Sequence, residues 1–230
     1  MKNEVITEFR ASRPEELVAK RASMALDKPL TDHEREEMIE AASVKIGELF
    51  DILRIDHRND HNTKQTPTRV AKSFVNELLS GRFAAPPKVT DFDNAEAYGD
   101  IIFTGPIHVR SLCAHHMLPI YGEAYFGIQP QEGGRIVGLS KYDRIVDHFA
   151  RRMHSQEELV NQIGEFVTDL TKPAGLALRI SAVHMCKSHR GVSASHASRM
   201  STTFTYGTFA DDPARRGEFN AECLARQAQL

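Results

Sequence analysis

The chain has 230 residues, a formal net charge of −2 at pH 7 and three cysteines. That length allows one or two domains with a real core, and the near-neutral balance excludes a bulk field for non-specific nucleic-acid binding. Three thiols are too few, and odd in number, for a disulfide framework. The opening MKNEVITEFR carries no apolar signal core, and no apolar run approaches membrane-spanning length. The expectation is a cytoplasmic protein with reduced thiols that binds neither nucleic acid nor membrane.

Residues 1–30 are polar, with a weak helical stretch over 14–26. From Thr31-Asp32, a cap pattern, the spacing of Met38, Ala42, Ile46, Leu49 and Leu53 predicts an amphipathic helix reaching residue 54. A charged linker follows over 56–65. Thr66-Pro67 opens a second helix, with Val70, Phe74, Leu78 and Leu79 on one side and a stop at Gly81. Arg69 and Lys72 share another side, which by itself reads as a solvated basic face. Pro86-Pro87 starts a loop to the second half. There, strands are expected over 101–111, 120–129, 176–187 and 199–206, and helices over 139–152 and 155–170. The second of these helices begins with the Ser155/Glu158 capping-box pair. Strand, strand, helix, helix, strand, strand after helices is an α+β pattern with a mostly antiparallel sheet.

Two groups of residues carry chemistry. Cys113-Ala114-His115-His116 and, far along the chain, His184-Met185-Cys186 contain the thiolates and imidazoles that zinc prefers. Two cysteines and one histidine leave a tetrahedral ion one open position, the pattern of a catalytic rather than a structural site. Strand alternation puts His184 and Cys186 on one face. Cys113 shares a metal with His116 only if the chain turns between them, since a straight strand would align it with His115, and the spacing leaves that choice open. Cys223 could close the site as a fourth ligand, but it lies in a polar tail that reads as loose. The second group is Gly138-Leu139-Ser140-Lys141-x-x-Arg144, where a helix start and two cations could face one anion. It lacks the spacing of a P-loop. Arg190 adds a guanidinium close after Cys186, so a metal beside phosphate-binding cations suggests a nucleotide. Gln156-Glu157, in the first turn of a helix, complements the dipole or could hold a guanine edge.

Together, Cys113-x-His115-His116, Gly138-Leu139-Ser140-Lys141-x-x-Arg144-Ile145-Val146, Gln156-Glu157 and Val183-His184-x-Cys186-x-x-x-Arg190-Gly191 resemble GTP cyclohydrolase I in order and spacing. Thr66-Pro67-x-Arg69-Val70-Ala71-Lys72 resembles that family's preceding helix, and the similarity spans residues 35–208. The resemblance implies N-terminal helices followed by the tunnelling fold, a four-stranded antiparallel sheet with two helices on one face, assembled into a toroidal homodecamer with active sites between subunits. It implies a division into a polar extension (1–30), a helical region (31–87), a catalytic domain (88–210) and a C-terminal tail (211–230). It also implies zinc-dependent opening of GTP at carbon 8, release of formate and formation of 7,8-dihydroneopterin triphosphate. Carried over by position, Cys113, His116 and Cys186 bind zinc, and His115 and His184 transfer protons. Ser140 serves the ribose step, and Gln156 and Glu157 hold guanine. Lys141, Arg144 and Arg190 hold the triphosphate, with Arg69 and Lys72 supplied by a neighbouring subunit.

The chain departs from the family pattern at two places. Ala114 stands where the family usually has Glu, and Arg152-Met153-His154-Ser155 replaces the usual Arg-Pro-Gln-Val. Two rivals share the motifs in part: a nitrile reductase of the same fold, with a cysteine nucleophile and a nicotinamide cofactor, and a non-catalytic GTP-binding paralogue.

Overall fold

The computed structural model describes residues 21–229. The weak helix expected over 14–26 falls mainly outside them, and its described part, 21–26, is a turn and irregular chain. The chain divides into two units, the first ending at Ala85 and the second beginning at Pro86.

In the first unit, α1 (Asp32–Ile52) opens with a complete capping box. Glu34 N–H donates to Thr31 Oγ1 at 3.2 Å, and Thr31 N–H donates to the Glu34 carboxylate at 2.7 Å. Leu30, Val75 and Phe83 form a small core with Met38 and Ile39 packed on it. The expected apolar face of α1 is not buried along its length: Leu49 and Leu53 are exposed, and Ile52 beside them is 77% exposed. Pro67 sits in the first turn of α2 (Thr66–Ser73). The helix does not stop at Gly81, because it widens into a π turn over Phe74–Leu78 and continues as α3 (Ser80–Phe83).

The second unit holds β1 (Asp91–Asp93), β2 (Ile102–Cys113), β3 (Pro119–Gln129), β4 (Arg135–Val137), α4 (Leu139–Ala150), β5 (Met153–His154), α5 (Gln156–Thr171), β6 (Gly175–His184), α6 (Met185–Ser188), β7 (Met200–Gly207), α7 (Thr208–Asp211) and α8 (Pro213–Gln227). The main sheet has the order β5-β2-β3-β6-β7. Its four long strands pair antiparallel as expected, and the two-residue β5 adds a parallel edge at Leu112 and Cys113.

Alternation along the strands sorts their side chains onto two faces. Ile107, Val109, Ala124, Phe126, Leu178 and Ile180 meet Ile145, Val146, Leu159 and Ile163 of α4 and α5 in the main core. Burying each of these side chains except Ala124 contributes about 1.5–3 kcal/mol. The opposite face carries Tyr125 and Ala177, covered by Phe209, Phe219 and Cys223. Residues 211–230, expected as a loose tail, therefore supply a packed helix. Asp212 caps it and Pro213 starts it, a pattern legible in the sequence. None of the described helices is long and apolar enough to cross a membrane.

Two buried histidines lie at the junction of α4 and β5. Arg152 donates to His148 Nε2 at 2.8 Å, so that nitrogen accepts and the ring is neutral. Burial first, then the Arg152 cation, lowers the His148 pKa to about 4, with Asp147 opposing. Burial likewise lowers His154 to about 4. Folded values below the unfolded one mean that the stability these rings contribute is complete above about pH 6.5 and is lost as pH falls through about 4. Urea midpoints measured from pH 7 to 4.5 are expected to fall steeply. His148→Gln, which keeps an acceptor for Arg152 but cannot take a proton, is expected to remove part of that slope, worth up to roughly 3 kcal/mol.

Candidate functional site

β2 delivers Cys113 as its last residue, and the chain reverses over residues 114–117. Met117 N–H donates to Cys113 O at 2.9 Å, and Cys113 N–H donates to Leu118 O at 2.8 Å. Met117 closes the reversal with a φ of 53°. This is the turn that the Cys-x-x-His spacing needs, and it brings His116 within reach of both Cys113 and Cys186, while His115 lies against Cys113 alone. β5 fixes the turn from outside, where Ala114 N–H donates to His154 O at 3.0 Å.

From the other side, β6 ends at His184, which pairs with Ile120 at the start of β3. The strand expected to run on to residue 187 stops there. Met185–Ser188 coil into α6, which takes Cys186 out of the strand alternation. The ligand atoms of Cys113, His116 and Cys186 come within 4.8 Å of one another. Tetrahedral zinc with bonds of about 2.0–2.3 Å spaces its donors about 3.5–3.8 Å apart, so the three fit an ion after shifts on the order of 1 Å. Cys223 is buried in the second-face cluster and is not a member of this group. Burial and the adjacent Cys113 thiol push the Cys186 thiol up. A divalent cation bound there would reverse that preference of Cys186.

His115 is exposed beside the cluster, with Nδ1 3.7 Å from Cys113 Sγ. Arg190 donates to His116 Nε2 at 3.0 Å. A metal-bound imidazole carries its proton on the nitrogen that does not bind, so neither nitrogen could then accept from Arg190. Loading the site would free that guanidinium for an anion. His184 is half-buried, and burial holds its pKa below the usual value while nearby Glu157 opposes the shift. Glu157 itself is exposed in the first turn of α5, but Gln156 before it is only 1% exposed. The Gln156 carboxamide lies among Ile180, Met200, Thr202 and His184.

Ser140, Lys141 and Arg144 occupy the first two turns of α4, whose cap, Gly138, offers no side chain to the free N–H groups. Neither Lys141 nor Arg144 makes a side-chain hydrogen bond or ion pair among the described residues. In the first unit, Arg69 and Lys72 are exposed on α2, with Arg69 reaching Gln65 Oε1 at 3.3 Å. Sequence reasoning missed the inward turn of Gln156 and the backbone bridge from Ala114 to His154. The capping box marked where α5 begins but carried no sign of which way its first side chain points.

The model of the family described as GTP cyclohydrolase I matches residues 42–224. Proteins named GTP cyclohydrolase 1 from Brucella suis (strain ATCC 23445 / NCTC 10510) and Brucella abortus (strain S19) are each 40% identical over 157 residues, 67% of this chain and 72% of theirs. A crystal structure of the archaeosine synthase QueF-Like in the apo form aligns with 54% of this chain and 97% of its own, at 14% identity. Its TM-score is 0.37, too low to bear on the fold.

Metal analysis of the purified protein is expected to find about one zinc per chain, from the thiolate–imidazole donor set. Cys113→Ala and Cys186→Ala are expected to lose the ion and His115→Ala to keep it. Full occupancy in both cysteine variants would refute the assignment.

Proposed function

Because the chain belongs to the GTP cyclohydrolase I family, we propose that this enzyme hydrolyses GTP at carbon 8, releases formate and rearranges the remainder to 7,8-dihydroneopterin triphosphate. The observation that carries the reading is the convergence of Cys113, His116 and Cys186 at the ends of β2 and β6, the two strands that flank β3, with His115 and His184 beside them. Zinc held there by Cys113, His116 and Cys186 would supply a Lewis acid and lower the pKa of water towards neutrality.

The side chains divide the remaining work. Glu157, exposed at the start of α5, accepts two N–H groups from the guanine edge; the inward Gln156 leaves that task to it. Lys141 and Arg144, without partners of their own, hold the triphosphate with Arg190. Arg69 and Lys72 do so from a neighbouring subunit. Ser140 meets the ribose. His115 is free to deliver a proton to the imidazole nitrogen of the base. His184, whose pKa burial lowers, begins as a proton acceptor. Ala114 leaves the metal without the carboxylate usual in the family, which alters the surroundings of the ion but removes no ligand.

Assembly is part of the proposal. β7 pairs only with β6, and β2 beyond Leu112 and Cys113 pairs only with β3. Each therefore has an open edge among the described residues, and the two edge strands run in opposite directions. Rotated copies can continue the ladder antiparallel around a closed ring. The exposed Leu49 and Ile52 of α1, with Leu53 at its C-cap, offer a second apolar contact between copies. These edges are compatible with the homodecamer that the family resemblance implies, and we propose that assembly, in a reducing cytoplasm that suits three free thiols.

Zinc-loaded protein incubated with GTP is expected to give formate and, after oxidation, a fluorescent pterin. His115→Ala is expected to lose about 10²-fold or more of that turnover. GTP binding without formate would favour the non-catalytic paralogue. NADPH consumption with a deazaguanine nitrile would favour the nitrile reductase, although Cys113 and Cys186 are both committed to the cluster. Light scattering coupled to size exclusion is expected to report ten chains; a stable monomer would overturn the ring.

A further inference from the structure

Gln156 is the first residue of α5, and its carboxamide is used on both sides. One atom, Nε2, lies 3.1 Å from each of Ile180 O, Met200 O and Thr202 Oγ1. Two of those partners are backbone carbonyls, which only accept. The atom facing them must therefore be the amide nitrogen, and the orientation of the carboxamide follows from its surroundings. Oε1 is left facing His184 Nε2 at 2.8 Å. A carboxamide oxygen only accepts, so His184 must carry its proton on Nε2. In the neutral ring the lone pair is then on Nδ1, the nitrogen not turned towards Gln156.

We propose that Gln156 is a positioning residue: it holds the His184 ring in the Nε2-protonated tautomer and so leaves Nδ1 as the atom that accepts and returns protons. This deepens the cyclohydrolase reading and rests on the role given there to His184. Gln156 touches neither substrate nor metal in this scheme. Its own nitrogen is anchored on two strands, β6 through Ile180 and β7 through Met200 and Thr202, so the ring is oriented by the sheet rather than by a mobile surface group. A histidine in the wrong tautomer presents a donor where an acceptor is needed, and the loss falls on the chemical step rather than on GTP binding.

Two measurements test this. Neutron diffraction from deuterated, zinc-loaded protein without substrate is expected to show a deuteron on His184 Nε2 and none on Nδ1. It is also expected to show the two Gln156 deuterons directed at the Ile180 and Met200 side. A deuteron on Nδ1 alone would overturn the proposal. Because that readout needs no turnover, a protein inert to GTP would sink the cyclohydrolase reading without touching this one. In kinetics, Gln156→Met, close in length but without donor or acceptor, is expected to lower kcat by about 10²-fold at nearly unchanged KM and zinc content. Gln156→Glu keeps an acceptor facing Nε2 and is expected to retain more kcat than Gln156→Met, and it carries the test should the latter fail to fold. A rise in KM for GTP with kcat unchanged in these variants would instead make Gln156 a contact to the base.

Discussion

Ten consecutive residue pairs hold β3 against β6, from Gln129 opposite Gly175 to Ile120 opposite His184. That ladder is the constraint on which the candidate site depends. β3 begins just after the Cys113 turn, and β6 ends just before Cys186, so zipping the two strands brings together residues far apart in the chain. Side-chain alternation allows only registers that keep Ala124, Phe126, Leu178 and Ile180 under α4 and α5. A slip by one residue would bury Glu123 and Arg179 and expose the core. The geometry of the metal cluster is thus inherited from the packing of the sheet, and the cost of disturbing it is spread over the whole main core.

Most of the second unit was legible because its signals are local and redundant. Ser155 and Glu158 announce α5, and the helical spacing of Leu159 and Ile163 gives its buried side. Cys-x-x-His demanded a turn, and the turn is there. What stayed hidden depends on partners distant in sequence. The end of β6 at His184 is set by the coil that seats Cys186, and nothing in the strand-like run up to residue 187 signals it. Helix α8 was masked by its polar composition, although Asp212-Pro213 and the four-residue spacing of Phe219 and Cys223 encode it. In the first unit, periodicity identified α1 correctly but could not say that Leu49, Ile52 and Leu53 would find no cover among the described residues. An apolar stripe reports the need for a partner without reporting whose surface meets it.

The electrostatics of the site follow from partial burial. Cys186 resists ionisation beside Cys113, and His184 resists protonation. The first preference favours the protonated thiol and would have to be reversed by a cation, whereas the second favours a neutral ring. Arg190 rests on His116, and it would have to yield if that imidazole bound an ion. Metal loading would then be coupled to readiness to bind an anion through one side chain.

The inward carboxamide of Gln156 has an evolutionary consequence. It presents a donor to two carbonyl oxygens and an acceptor to a ring N–H, in a fixed order and at a fixed reach. Asparagine is one methylene too short, and methionine offers neither group. Glutamic acid supplies the same order only while protonated, against the ordinary ionisation of a carboxyl. The alphabet of side chains therefore leaves this position almost no synonyms, so drift in the surrounding chain has to route around it.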